Sequence, residues 1–184
     1  SAAQAEAQAL LFSVGRPDVI AEACREAADQ GLGYLSGDHD LQLHASLVAG
    51  LPPALRVYVG CAARLYGEVE SADLRKIHIE SGKLTLTSYD DFDGRAVPML
   101  IERVKIDMRR QDIAFFEYGP DRPQALYLKS RFMHPSMMGY ETQKSFDSAL
   151  EGTGLFDFDG FGPPFEDFVS LLRTKGFTVK GFEL

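Results

Sequence analysis

Residues 74–94, LRKIHIESGKLTLTSYDDFDG, constrain this chain more than any other stretch. Ile77 and Ile79 alternate with Lys76, His78 and Glu80. After Ser81-Gly82 the alternation resumes, with Leu84 and Leu86 against Thr85, Thr87 and Tyr89. A period of two with β-branched and aromatic residues marks strands buried on one face. Ser81-Gly82 supplies the positive φ of a tight reversal. The stretch therefore predicts a β-hairpin, with Glu80 and Lys83 placed to pair across its turn at small gain in water. Its second strand runs into Asp90-Asp91-Phe92-Asp93-Gly94. Short carboxylates bond to nearby backbone N–H groups and glycine permits a sharp bend, so a capped turn accounts for this acidic cluster.

The flanking sequence supplies what packs on the hairpin. Residues 1–9 are Ala/Gln-rich and read as a frayed or helical lead-in, and 9–14 (ALLFSV) as a short buried strand. Pro17 and Asp18 suit a first helical turn, and Gly31 and Gly33 stop the helix near Gln30. A loop or short strand covers 32–38, and Asp40 caps a short helix through Leu47 that Gly50-Leu51-Pro52 breaks. Pro53 opens the longest helix, to Tyr66, with Leu55, Val59, Ala62 or Ala63, and Tyr66 at helical spacing and Gly67 after it. This helix is expected on the hairpin, with 68–73 as connector. Residues 98–102 read as one helical turn. Val104, Ile106 and Met108 alternate as a strand, 110–112 reverse the chain, and 113–118 return. Residues 126–133 (LYLKSRFM) read as a further strand with Tyr127, Lys129 and Arg131 on one side. Helices follow at 139–150 and 165–175, separated by a Gly/Phe/Asp-rich loop, and 177–184 closes as a strand. The fold expected is α+β: an antiparallel sheet packed by helices, with an N-terminal βα unit. It forms one domain, 1–184, with 1–73 as a candidate N-terminal subdomain.

With 45% hydrophobic residues the chain can bury a sizeable core. No apolar run approaches the roughly 20 residues of a membrane-spanning helix, and the start lacks the basic segment of a signal peptide. The chain begins at Ser1 without Met, which points to neighbouring sequence beyond it. Cys24 and Cys61 fall on helices among small apolar residues, as buried thiols in a reducing cytoplasm do. The net charge of −8 is uneven: residues 76–131 hold 10 Lys+Arg against 9 Asp+Glu, whereas 1–75 hold 5 against 10 and 132–184 hold 4 against 8. Phosphate-backbone binding needs clustered positive charge, so any nucleic acid belongs to the middle segment.

Several familiar chemistries are excluded. Gly15 alone lacks the spaced glycines of a dinucleotide fingerprint. His39 and His44 are five apart, not the four of a zinc helix. Asp91, Asp93 and Glu102 echo a calcium loop, but Ala96 stands where its sharp turn needs glycine. No nucleophile elbow, phosphate loop or methyltransferase glycine loop is present, so neither a cofactor nor a resident metal is expected. Two candidate sites remain. Asp91, Asp93 and Glu102 with Lys105 have the residue types of a metal nuclease, carboxylates holding Mg²⁺ and lysine polarising water. Lys76, His78, Tyr89, Lys105, Tyr127, Lys129 and Arg131 would give a basic sheet face interleaved with aromatics, able to hold phosphates and stack bases. Solvated lysines that discourage strand pairing account for the same pattern.

The hairpin also carries a resemblance. Lys76-x-His78, the Lys83-Leu84-Thr85-Leu86 strand, Tyr89-x-Asp91-Phe92-Asp93 and Pro98-x-Leu100 resemble the C-terminal region of the family of methyltransferases associated with DNA phosphorothioation. LLFSVGRPDVIAEAC, LPPALRVYVGCAARLYGEVESADLRKIH, the strand pair 104–118 and the helix before Gly176 extend the likeness along the chain. That family's methyltransferase core lies N-terminal to this region and is absent here, so its cofactor residues do not carry over. Of its later His-Arg-Lys-Glu-like run only Lys129 matches, beside Tyr127, Leu128 and Ser130. The resemblance implies an accessory or recognition domain, without catalysis of its own, in a DNA-modification or defence system. A nuclease-like enzyme using the acidic turn, and a protein–protein interaction module fitting the acidic flanks, stand as alternatives.

Overall fold

The computed structural model describes residues 2–67 and 71–184; of the expected connector, residues 68–70 lie outside this description, as does Ser1. Six antiparallel strands form one sheet in chain order: β1 Tyr34–Ser36, β2 Asp40–His44, β3 Leu74–His78, β4 Lys83–Tyr89, β5 Leu100–Asp107 and β6 Asp112–Glu117. The expected hairpin is β3–β4, in register from Leu74 opposite Thr87 to Ile77 opposite Leu84. Gly82 takes φ +67° in its turn. Lys83 pairs with Asp107 across the sheet at 3.6 Å.

One face of the sheet carries Leu41, Leu43, Ile77, Leu84, Leu86, Val104 and Ile106, all buried. Two helices cover it. α2 (Pro17–Asp29) contributes Ile20, Cys24 and Ala27, and α3 (Pro53–Tyr66) contributes Leu55, Tyr58, Val59 and Ala62. α3 meets the hairpin as its spacing predicts. The Tyr58 hydroxyl lies 3.0 Å from the His78 carbonyl and 2.8 Å from that of Lys83, so its proton ties the helix to both ends of the turn.

A second core forms beyond the sheet. α4 (Tyr140–Gly152) and α5 (Phe165–Thr174) bury Phe146, Leu150, Phe168 and Leu172 against Ala96, Tyr127 and Leu128. Leu74, Phe92, Leu126 and Phe132 join this part to one end of the sheet's other face. The sheet itself runs across residue 73, since β2 pairs with β3 from Asp40–His78 to His44–Leu74.

The α+β architecture stands, and five local expectations are corrected. Residues 9–13 are the end of a helix, α1 (Ala2–Ser13), and not a strand. Eight preceding residues rich in Ala, Gln and Glu are strong helix formers and carry the apolar run with them. Residues 40–44 form a strand because the alternation of Leu41 and Leu43 finds a partner in β3, and the helical turn begins only at Ala45. Residues 100–102 start β5 and are not a helical turn. The span 126–133 is not a strand: Leu128 adopts φ +49° and Lys129–Phe132 coils into a 3-10 turn, because both sides of this segment are buried. Residues 177–184 make a single bridge, Lys180 to Glu183, and no sheet strand.

Candidate nucleic-acid interface

Asp90 and Asp91 of the acidic turn are spent on its own backbone. Asp90 accepts from the Met99 N–H at 2.5 Å and pairs with Arg95. Asp91, at φ +52°, accepts from the Gly94 N–H at 3.1 Å. Asp73 reaches across to the Tyr89 N–H at 2.7 Å, and burial raises its carboxyl above the usual range. Glu102 and Lys105 are three residues apart on β5 and leave it on opposite faces: Glu102 stands opposite Ser88 and Lys105 opposite Thr85. The four residues of the nuclease alternative are therefore not brought together. Among the described residues, no group of three or more His, Cys, Asp or Glu could hold a metal ion.

Beneath the turn sits Lys129, expected on an exposed strand and here only 2% exposed. Its ammonium donates to the carbonyls of Phe92 and Arg95 and lies over the rings of Phe92 and Phe182. Burial pulls its pKa down to about 8, against the opposing pull of Asp93, Asp147, Asp91 and Asp73. Lys129 is a clamp on the turn and not a surface contact. Tyr127 is likewise buried, its hydroxyl donating to the Pro163 carbonyl. Tyr89 packs beside Phe92, and burial pushes its phenol up to about 12. The physical reason is that the second core covers Tyr127 and Lys129, and the cluster of Leu74, Phe92, Leu126 and Phe132 covers Tyr89.

Of the other expected residues, Lys76, His78 and Lys105 share one sheet face, and Arg131 reaches only its β1 edge. Because side chains alternate across a strand, residues opposite one another share a face. One row crosses the whole sheet on the face away from α2 and α3: Tyr34, Gln42, Lys76, Thr85, Lys105 and Ala114. Arg131 lies over the Tyr34 ring at 5.2 Å and pairs with Glu151 at 3.0 Å. Lys76 pairs with Asp40 at 3.4 Å. His78 stands beside Thr85, 2.8 Å from its hydroxyl, and burial lowers its pKa to about 4. It is neutral near pH 7 and serves as a hydrogen-bonding group, not a cation. Lys105 lies 5.3 Å over the Phe116 ring.

Beyond Lys105 the face continues through residues outside the expected set. Arg103 lies 5.2 Å from the Tyr118 ring and 5.6 Å from that of Phe161, and Arg122 lies 5.3 Å from Tyr118. Phe161 is 69% exposed. Among the described residues, Lys105, Arg103 and Arg122 form no ion pair. Arg103 was within reach of sequence reasoning, since it precedes Lys105 by two and shares its face. Phe161 carried no such signal, because its place depends on how a glycine-rich loop returns to the sheet.

The β3–β6 face thus sets the exposed Lys105 and Arg122 and the half-buried Lys76 and Arg103 among aromatic rings, in a chain whose net charge is −8. Planar guanidinium groups against rings, with further ring surface open to solvent, can hold phosphates and stack bases. No helix among the described residues is long and apolar enough to cross a membrane. No protein-family model, no curated protein and no solved structure matches this chain.

Proposed function

We propose that the chain is a recognition domain without catalysis of its own, binding single-stranded nucleic acid across the β3–β6 face in a DNA-modification or defence system. The observation that carries the proposal is the row from Lys76 across the buried Thr85 to Lys105, continued by Arg103 and Arg122 and set among Phe116, Tyr118 and Phe161. Stacking rings favour unpaired bases over a duplex. The DNA-modification setting rests on the sequence resemblance.

The test is fluorescence anisotropy of a labelled single-stranded oligonucleotide. Four phosphate contacts at about −0.7 each give a log–log salt slope near −3, or roughly a 50-fold loss of affinity between about 50 and 200 mM salt. Lys105→Ala with Arg122→Ala should lower that slope by about one to two. Affinity and slope unchanged by both substitutions would refute the assignment of the face. A second reading, a protein-interaction module, is favoured by the edge strand β6, where Phe115 is 59% exposed. Recovery of a protein partner with no nucleic-acid binding would put that reading first.

A further inference from the structure

A cleft of about 440 Å³ opens between α5, the loop at residues 94–97 and the C-terminal tail. Its walls are mainly apolar, with Phe165, Val169 and Leu172 from α5, Val97 from the loop, and Phe177 and Val179 from the tail. The volume lies within the roughly 300–1,000 Å³ typical of small-molecule sites. It lies apart from the strip of cations on the sheet, whose residues take no part in its lining.

Charge defines the occupant. The chain carries 27 acidic side chains against 19 basic ones, yet among the described residues no Asp or Glu lines this cleft, whereas Arg95 and Arg173 both do. Arg95 is held by Asp90 at 2.5 Å. Arg173 is exposed in the last turn of α5 and, among the described residues, has no ion-pair partner. The carbonyls at that end of α5 are already occupied: Leu171 accepts from Lys175, and Leu172 from Lys175 and Phe177. The helix terminus therefore presents little unpaired negative charge to an incoming anion. Lys129 cannot serve as the cation here, because its ammonium is bound to backbone carbonyls beneath Phe182.

We propose that this cleft binds a small apolar carboxylate, with a ring or medium-length alkyl chain between α5 and the tail and its carboxylate on Arg173. A guanidinium with no competing carboxylate among the described residues presents two parallel N–H donors to such a group. The apolar walls contribute the burial, and their shortage of hydrogen-bonding groups disfavours a polar ligand.

The test uses anilinonaphthalene sulfonate, an apolar fluorescent anion, with decanoate and decanol as competitors. Wild-type protein should bind the probe saturably, and decanoate should displace it at least about tenfold better than decanol. Arg173→Gln should weaken the sulfonate about tenfold while leaving its uncharged relative phenylnaphthylamine within about twofold. Val169→Trp, which fills the cleft, should remove both. Should Val169→Trp unfold the chain, decanoate titrated into wild type must shift the methyl resonances of Val97, Val169, Leu172 and Val179. Absence of saturable binding, equal competition by decanol, an Arg173→Gln effect equal for both probes, or shifts outside these methyl groups would each overturn the proposal. None of these readouts involves nucleic acid, so the two proposals fail separately.

Discussion

Replacing Lys129 by Met tests whether the buried ammonium holds the acidic turn, and it has two readouts. Near pH 7 the methionine fills the stem's volume but leaves the Phe92 and Arg95 carbonyls without their donor. Each carbonyl stranded away from water costs about 1–3 kcal/mol, partly offset because no ammonium is desolvated. The expected loss is about 3 kcal/mol. The second readout is the pH dependence. With the folded pKa at about 8 against 10.5 for the free side chain, the unfolded chain keeps between these values a proton that the folded chain has released. Stability from this group therefore rises with pH across that window, by about 2 kcal/mol between about pH 7 and pH 9.5. Cys24, pushed up to about 12 by burial, and the buried phenol of Tyr58, also shifted upward, act oppositely, since the unfolded chain loses their protons first. Those groups remain in the variant and cancel in the difference. Urea unfolding followed by circular dichroism at both pH values gives all four free energies. The wild-type advantage should widen from about 3 to about 5 kcal/mol. Parallel profiles, or a variant within about 0.5 kcal/mol of wild type near pH 7, would refute the clamp.

Two further substitutions test the frame that presents the sheet face. Tyr58→Phe removes the proton shared by the His78 and Lys83 carbonyls and should cost about 1–3 kcal/mol. Faster amide exchange at Ile79 to Lys83 should accompany it, and an unchanged exchange pattern would deny α3 its hold on the turn. Gly33→Ala places a Cβ 2.7 Å from the Gln42 carbonyl oxygen and 2.8 Å from the Leu43 Cβ, at φ +114°. Backbone strain and the forced shift of β1 should lower stability by about 2 kcal/mol or more, measured by urea unfolding. A loss below about 0.5 kcal/mol would show that β1 moves freely off β2.

The legible parts of the fold were those where a local period matched the final burial. The hairpin, α2, α3, α4, α5 and the β5–β6 pair each repeat every two or every 3.6 residues along the face they bury, although in the hairpin Thr85 and Thr87 on the opposite face are buried too. The sequence was less informative where burial came from both sides. Tyr127 and Lys129 alternate with Leu126 and Leu128 like a half-exposed strand, yet all four are buried between the two cores. A buried lysine has no periodic signature, since what permits it is a pair of carbonyls more than thirty residues upstream. The acidic turn was readable as a turn because its carboxylates bond within a few residues. Of the expected basic face, Lys76, His78 and Lys105 were readable from alternation alone. Tyr118 continues the alternation of Phe116 just beyond β6, whereas Arg122 and Phe161 joined the face only through later loops.

The most direct test of the recognition face is an amide chemical-shift map of the isotopically labelled chain titrated with an oligothymidine of about ten nucleotides, near the upper half of known single-strand site sizes. Saturable shifts confined to the strip from Lys76 and Thr85 through Arg103, Lys105 and Phe116 to Tyr118 and Arg122, and diminished by added salt, are the expected result. Shifts centred on α2 and α3, or no saturable shift at low salt, would contradict it.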